Sequence, residues 1–279
     1  MLSIIMSGLN VAQKDLSVTA NNLANSNTVG YKKSNANFVD VFANDPSANP
    51  KTAVGAGAMT DIVNRDTSQG AMSSTGRATD LAIAGQGYFM LDASDASATD
   101  PAYVFTRAGS FGVSADGTIV NSTGARLQLV PAQTNADGTI TPQAGATIPA
   151  VVQTTKTVAG ATSTLQGISI NGKGLIAATY SDNSIDYPGF VAVANFPNSS
   201  ALKPIGNSNF IATGDSGIPN VSTGGAPNAG DIMSATLEQS NVDITQELMK
   251  MLRAQQLYNG NARMLQTAVE VSSRLTDKI

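Results

Sequence analysis

Residues 2–23 read Leu-Ser-Ile-Ile-Met-Ser-Gly-Leu-Asn-Val-Ala-Gln-Lys-Asp-Leu-Ser-Val-Thr-Ala-Asn-Asn-Leu, and residues 244–269 read Ile-Thr-Gln-Glu-Leu-Met-Lys-Met-Leu-Arg-Ala-Gln-Gln-Leu-Tyr-Asn-Gly-Asn-Ala-Arg-Met-Leu-Gln-Thr-Ala-Val. In the first, Leu2, Ile5, Leu9, Ala12, Leu16 and Leu23 recur on alternating steps of three and four, with Thr19 the polar member of the series. In the second, Leu248, Met251, Tyr258, Ala262, Leu265 and Val269 do the same. A 3.5-residue repeat is the mark of helices that pair along their length. Each end therefore predicts a long helix in need of a partner, either the other end of the chain or the ends of neighbouring copies. The competing reading is that each stripe is the face a helix turns to its own domain's core. Gln255, Ser272 and Thr276 break the second seam with polar groups, which predicts helices that are marginal alone and firm in an assembly.

Outward from the ends, the signals change. Asn21 to Gly30 is rich in residues whose side chains bond the backbone, which predicts the end of the first helix there. Asp243 followed by Gln246, or Ser240 followed by Asp243, caps the second helix near Asn241, and that helix is expected to run nearly to Ile279. Between Tyr31 and about Thr75 lies a stretch with Pro46, Pro50 and Gly55-Ala-Gly57, read as an irregular connector with short extended pieces such as Met59 to Val63. From Asp80 the period becomes two. Strands are expected on both sides of Gly85-Gln-Gly87, at 103–106, 110–114, 118–121, 126–130, 167–170, 174–180 and 189–196. The repeated Ala-Asp-Gly-Thr-Ile at 115–119 and 136–140 marks tight turns. Residues 131–165 show little periodicity, and 214–230 read as a loop-rich return.

The expected fold class is thus α+β: paired long terminal helices resembling a coiled coil, a central all-β domain and an extended connector. The segmentation is 1–30 with 241–279 as a helical domain, 31–79 with 216–240 as the connector, and 80–215 as the β domain.

Composition narrows function. With 279 residues, 13% charged and 5% aromatic, a formal net charge of -4 and an isoelectric point near 4.7, the chain lacks the basic patch that nucleic acid or an anionic membrane requires. No cysteine means no disulfide or thiolate metal site, and no histidine removes the commonest general base and transition-metal ligand. No cofactor is expected. No apolar run reaches membrane-spanning length, and the first residues lack the pattern of a cleaved signal. Gly214-Asp-Ser-Gly217 resembles a serine-protease core, but Ser216 has no imidazole to activate it, so a surface turn is the expectation. Asp92, Asp95 and Asp100 lack the spacing of a calcium loop. Gly85-Gln-Gly87 and Gly55-Ala-Gly57 lack the remainder of a phosphate loop, and Asn121-Ser-Thr123 fits a glycosylation acceptor only in a eukaryotic secretory setting. A hydrolase or carbohydrate-binding module on the β domain is the rival function, opposed by the missing histidine and tryptophan.

The terminal motifs carry a family resemblance. Ser7-Gly-Leu-Asn10, then Asn21, Asn22, Leu23, Ala24 and Asn25 with Thr28-Val-Gly30-Tyr31-Lys32, resemble the N-terminal signature of bacterial flagellar rod and hook proteins. Leu237-Glu-Gln-Ser240-Asn241-Val242-Asp243, Glu247-Leu-Met and Ala254-Gln-Gln-Leu-Tyr258 resemble their C-terminal signature. Thr75 to Ile83, Gly87-Tyr-Phe89 and Phe105 to Phe111 resemble β-domain segments of that family. The resemblance implies a non-enzymatic subunit that polymerises into a helical tube, with the terminal helices lining it. The implied partners are further copies, neighbouring rod, hook-cap and hook-filament junction proteins, and the export apparatus, which would pass the chain without a cleaved signal. Phe105 to Phe111, Asn121 to Leu127 and Ala178 to Asp182 resemble the hook more than the rod, placing the chain in the extracellular hook. The short 131–165 segment instead resembles the distal rod, the alternative reading.

Overall fold

The computed structural model describes residues 2–42, 55–94, 102–135, 139–143, 146–158 and 161–276. Among them are two long helices and many strands, an α+β fold, divided into two compact units. The first unit comprises residues 1–27, 32–66 and 242–279, and the second 28–31 and 67–241.

In the first unit, helix α1 (Leu2–Ala24) ends where Asn25 Nδ2 donates back to the Asn21 carbonyl at 2.9 Å. Helix α2 (Ile244–Thr276) uses the Asp243 cap: its Oδ1 accepts the amides of Thr245 at 2.9 Å and Gln246 at 3.2 Å. Such a cap satisfies amides that the first helical turn leaves without partners.

The connector expectation is corrected within the same unit. Strands β1 (Ser34–Phe42) and β2 (Gly55–Arg65) form an antiparallel ladder from Ser34 opposite Arg65 to Phe42 opposite Gly55. Pro46 and Pro50 lie outside the described residues. The extended piece expected at Met59 to Val63 lies within β2, and the ladder packs on α1. A Cβ on Gly57, whose φ is +111°, would stand 2.2 Å from Ser7 Oγ, the atom that accepts the Ala58 amide at 3.3 Å. The missing side chain at Gly57 is the condition for that approach.

The second unit is built on a sheet whose central strands, Tyr88–Asp92 and Gly189–Asn195, are buried on both faces. Phe89, Leu91, Val191 and Val193 enter one core with Leu81, Phe111, Leu127 and Tyr180. Their sequence neighbours Tyr88, Met90, Ala192 and Ala194 enter a second core with Phe105, Phe196 and Phe210. Burial on both faces replaces alternation with continuous apolar runs. The aromatic rings meet edge to face, Phe89 with Phe111 at 5.4 Å and Phe105 with Phe196 at 4.8 Å. A four-stranded sheet, from Thr155–Val158 to Ile185–Asp186, covers the first core through Ile170, Ile176 and Tyr180.

The strands flanking Gly85-Gln-Gly87 form, but do not pair with each other. Leu81–Ala84 pairs with Asp231–Ser234, while Tyr88–Asp92 joins the main sheet. Both glycines, at φ +121° and +118°, permit that change of direction. The 115–119 turn closes a hairpin, with Gly117 at φ +79°; Ala136 to Gly138 of its repeat lie outside the described residues. Among the described residues of 131–165, the segment expected to be aperiodic contains short strands: Ile140–Pro142 and Ile148–Pro149 pair with Arg126–Thr134, and Thr155–Val158 with Ala161–Ile170. Their Thr, Pro and Ala content suits short edge strands that bury little. Asn220–Thr223 likewise adds a strand to the expected loop, pairing with Gly189–Asn195.

Candidate functional site

The helices of the first unit pack against each other, antiparallel. Asn22 meets Glu247 across the pair at 3.1 Å, while a Cβ on Gly8 would lie 3.0 Å from Asn261, contacts fourteen residues apart on each helix. Gly8, Ala12, Asp15, Thr19 and Asn22 follow one another at steps of four and three, and of these Ala12, Thr19 and Asn22 are buried. On α2 the buried positions are Glu247 and Ala254. The line of closest approach is small and polar: on α1 it shares Ala12 and Thr19 with the expected series and adds Gly8, Asp15 and Asn22, leaving the large aliphatic members to its side.

That placement bears on each sequence-selected residue. Ile5, Leu9, Leu16 and Leu23 are half-buried, as are Met251 and Leu265, while Leu2, Leu248, Tyr258 and Val269 are exposed. Val269 is 52% exposed, and Leu252 and Val271 are each 59% exposed, so large aliphatic groups of α2 remain open. Among the motif residues Asn22 and Gly30 are buried and Ser240 nearly so; Leu23, Asn25, Tyr31, Asn241 and Val242 are half-buried, and Asn21 and Ala24 exposed.

Asn22 is the organising side chain. Its Nδ2 donates to the Ser34 carbonyl at 2.8 Å and to Glu247 Oε2, and its Oδ1 accepts the Ser34 amide at 2.9 Å, so one carboxamide joins α1, α2 and the start of β1. Glu247 Oε1 accepts from Lys250 Nζ at 2.8 Å, and Lys250 reaches Asn35 Oδ1 at 3.3 Å. Sequence reading missed Lys250 and Asn35, and named Glu247 only as part of the family signature, not as a partner of Asn22. The available signal was the i,i+3 spacing of Glu247 and Lys250 on the helical side of Ala254.

Asp15 completes this cluster. Its carboxyl is held above the usual value of 3.8, foremost by partial burial; Lys250 and Arg253 pull it down and Glu247 pushes it up. A carboxyl raised in the folded state favours folding below its unfolded value, and that contribution is lost as pH rises through the folded value. Asp15→Asn is therefore expected to raise the melting temperature at pH 7, with the advantage closing as pH falls towards 4. A melting curve at each pH checks this; a variant less stable than the parent at pH 7 contradicts it.

No group of three or more metal-ligating side chains occurs among the described residues, and no described helix is long and apolar enough to cross a membrane. Asp92 binds Ser94 through its Oδ1, and Asp95 and Asp100 lie outside the described residues. The surface-turn expectation for Ser216 is corrected: the residue is fully buried, and its Oγ donates to the Thr213 carbonyl at 2.8 Å while accepting the Thr213 amide at 2.9 Å. Ser216→Ala is accordingly expected to cost about 1 kcal/mol rather than tenths. A drop of a few degrees in melting temperature, with no change in assembly, is the expected reading.

A family model described as the flagellar hook protein FlgE/F/G D1 domain matches residues 82–178. One described as flagella basal body rod protein matches residues 2–32, and one described as flagellar basal body rod FlgEFG protein C-terminal matches 233–277. The flagellar basal-body rod protein FlgG of Agrobacterium fabrum is 32% identical over 286 residues, covering 98% of this chain and 96% of that protein. FlgG of Bacillus subtilis is 29% identical over 283 residues, covering 98% and 96%. The flagellar hook protein FlgE of Salmonella typhimurium is 24% identical over 407 residues, covering 98% of each. The matched segments take in both helices of the polar pair and, of the two-faced sheet, the strands from Tyr88–Asp92 to Arg126–Thr134. The chain belongs to the family of bacterial flagellar rod and hook proteins, structural subunits of the flagellum and not enzymes.

Proposed function

We propose that this chain is a distal rod subunit of the flagellar basal body, polymerising with its own copies into a helical tube. The observation that carries this reading is the end-to-end match to FlgG at 32% identity over 286 residues. The match to FlgE spreads a chain of 279 residues over 407 aligned positions, as it must to span a longer protein. The hook-like segments at Phe105–Phe111 and Asn121–Leu127 are outweighed by that difference in extent.

The working division is a tube-lining helical domain, residues 1–30 with 241–279, and an outer β domain built on 80–215, with 31–79 and 216–240 contributing the β1–β2 ladder to the helical unit and paired strands to the β unit. Neighbouring rod and hook proteins and the export apparatus are the further partners, with passage through the flagellum itself. Because the α1–α2 seam is small and polar, the aliphatic stripe has surface left for neighbouring copies. Leu2, Leu9, Leu248, Tyr258, Leu265 and Val269 supply coiled-coil-like contacts between subunits.

Expression in strains lacking either FlgG or FlgE tests the assignment. Restored motility in the first and not the second is the expected outcome; the reverse favours the hook. Leu9→Asp or Leu265→Asp should abolish rescue, since a carboxylate in a packed interface costs a few kcal/mol at every contact. Rescue by either variant would remove these residues from the interface.

A further inference from the structure

The chain passes between its two units four times, after Asn27, Tyr31, Asp66 and Asn241. Within the β unit, the segments at all four passages are tied around one buried ion pair. Arg107 follows strand Tyr103–Thr106 and Glu238 ends strand Thr236–Glu238; their charged groups lie 3.1 Å apart, with 5% and 0% of their side chains exposed. Glu238 Oε1 accepts the Gly70 amide at 2.9 Å, and its carbonyl accepts the Gly30 amide at 2.8 Å. The Asn241 amide donates to the Tyr31 carbonyl at 3.4 Å, and its Nδ2 to the Ser68 carbonyl at 3.1 Å.

Arg107 ties the same knot to the sheet. It donates to the carbonyls of Ile83 at 3.3 Å and Gly85 at 2.6 Å, while Gln69 bonds that Ile83 carbonyl and the Gly85 amide, each at 3.1 Å. The backbones close in without side chains: a Cβ on Gly30 would stand 2.4 Å from the Ala108 amide nitrogen, and one on Gly70 2.0 Å from the Gln239 carbonyl. A buried ion pair is a poor way to gain stability, since well-packed apolar residues of the same volume do as well. What it adds is direction. Hydrogen bonds to fixed carbonyls and amides resist sliding, which an apolar contact does not.

We propose that Arg107 and Glu238 are the positioning pair through which load carried by the four passages enters the β unit. This rests on the subunit reading above, because only an assembled, turning tube applies the load. The double variant Arg107→Met with Glu238→Leu keeps volume and removes the directional bonds. In the full-length variant, hydrogen exchange of peptides covering 28–31 and 67–71 should quicken at least tenfold, with those around Phe89 and Val191 unchanged. In the strain lacking FlgG, cells carrying it should swim normally in dilute medium and lose speed at least twofold more steeply as viscosity rises.

Unchanged exchange at 28–31 and 67–71, or an unchanged response to viscosity, overturns the proposal. Should the double variant fail to accumulate, Arg107→Lys, which keeps the charge and loses the fork, carries the same two measurements. A wild-type chain that restores no motility removes the subunit reading itself. Restored motility with an unaltered viscosity response removes only the role of the pair.

Discussion

Replacing Asn22 by leucine is expected to release the terminal helices and abolish motility. The carboxamide bonds the Ser34 carbonyl at 2.8 Å, the Ser34 amide at 2.9 Å and Glu247 Oε2 at 3.1 Å, and leucine takes part in none of these. Leaving a half-buried donor and acceptor and one oxygen of a buried carboxylate unmatched costs about 3 kcal/mol. That is a large share of the stability available to a pair of helices with so small a seam. Hydrogen exchange should reach fast rates through residues 5–24 and 244–262 in the variant, while the exposed Gln13→Ala stays within about 0.5 kcal/mol of the parent. Equal protection in the Asn22 variant and the parent would show that the carboxamide is not the tie among α1, α2 and β1.

Gly109→Ala is expected to be the most damaging methyl group in the β unit. A Cβ there would sit 1.6 Å from the Leu81 carbonyl oxygen and 3.2 Å from the Phe89 ring, both belonging to rigid core residues. The obstacle is backbone, so no rotamer change relieves it. Strand Leu81–Ala84 must move, and with it the pairing to Asp231–Ser234. A loss of about 4 kcal/mol or more follows, placing the substitution in the tail of the mutational distribution. Gly112 is the internal control, since a Cβ on it would meet nothing within 4 Å. Chemical denaturation of the two variants should separate them by several kcal/mol, and similar midpoints would mean that the Gly109 approach is looser than the structure has it.

The contrast between these glycines shows where sequence reading succeeds and stops. Phe105-Thr-Arg-Ala-Gly-Ser-Phe111 announces a strand and turn through its aromatic and β-branched residues, and Tyr103–Thr106 is indeed extended. Nothing in the string separates Gly109 from Gly112, because the difference lies in which backbone passes by. The helix ends were legible because capping is local: Asp243 acts on amides two and three residues away. The β1–β2 ladder was legible only as the extended piece at Met59 to Val63, since its approach to α1 brings Ser7 and Gly57 together across fifty residues of chain and the signal is the absence of a side chain. The same cause moved the helix seam. Periodicity weights Leu9 and Leu16, whereas the contact keeps only the small members of that series, Ala12 and Thr19, and adds Gly8 and Asn22, which a search for large apolar groups passes over. Arg107 and Glu238 lie 131 residues apart, and nothing near either one names the other.

The register of the two helices has one more effect. Where Asn22 faces Glu247 the pair ends nearly flush, with α1 closing at Ala24 and α2 opening at Ile244. Carried the other way, the same register brings Leu2 opposite Thr267, and α2 continues to Thr276, an overhang of about nine residues or roughly 14 Å at the helical rise. Two rods of unequal length laid with such a stagger make an object with a head and a tail. One end is sealed by a hydrogen-bonded carboxamide, and at the other α2 runs on past the residue opposite Leu2, with Val269 and Val271 on its surface. Copies stacked along that axis have a sense of travel, since reversing one would set two overhanging ends against each other or two sealed ones.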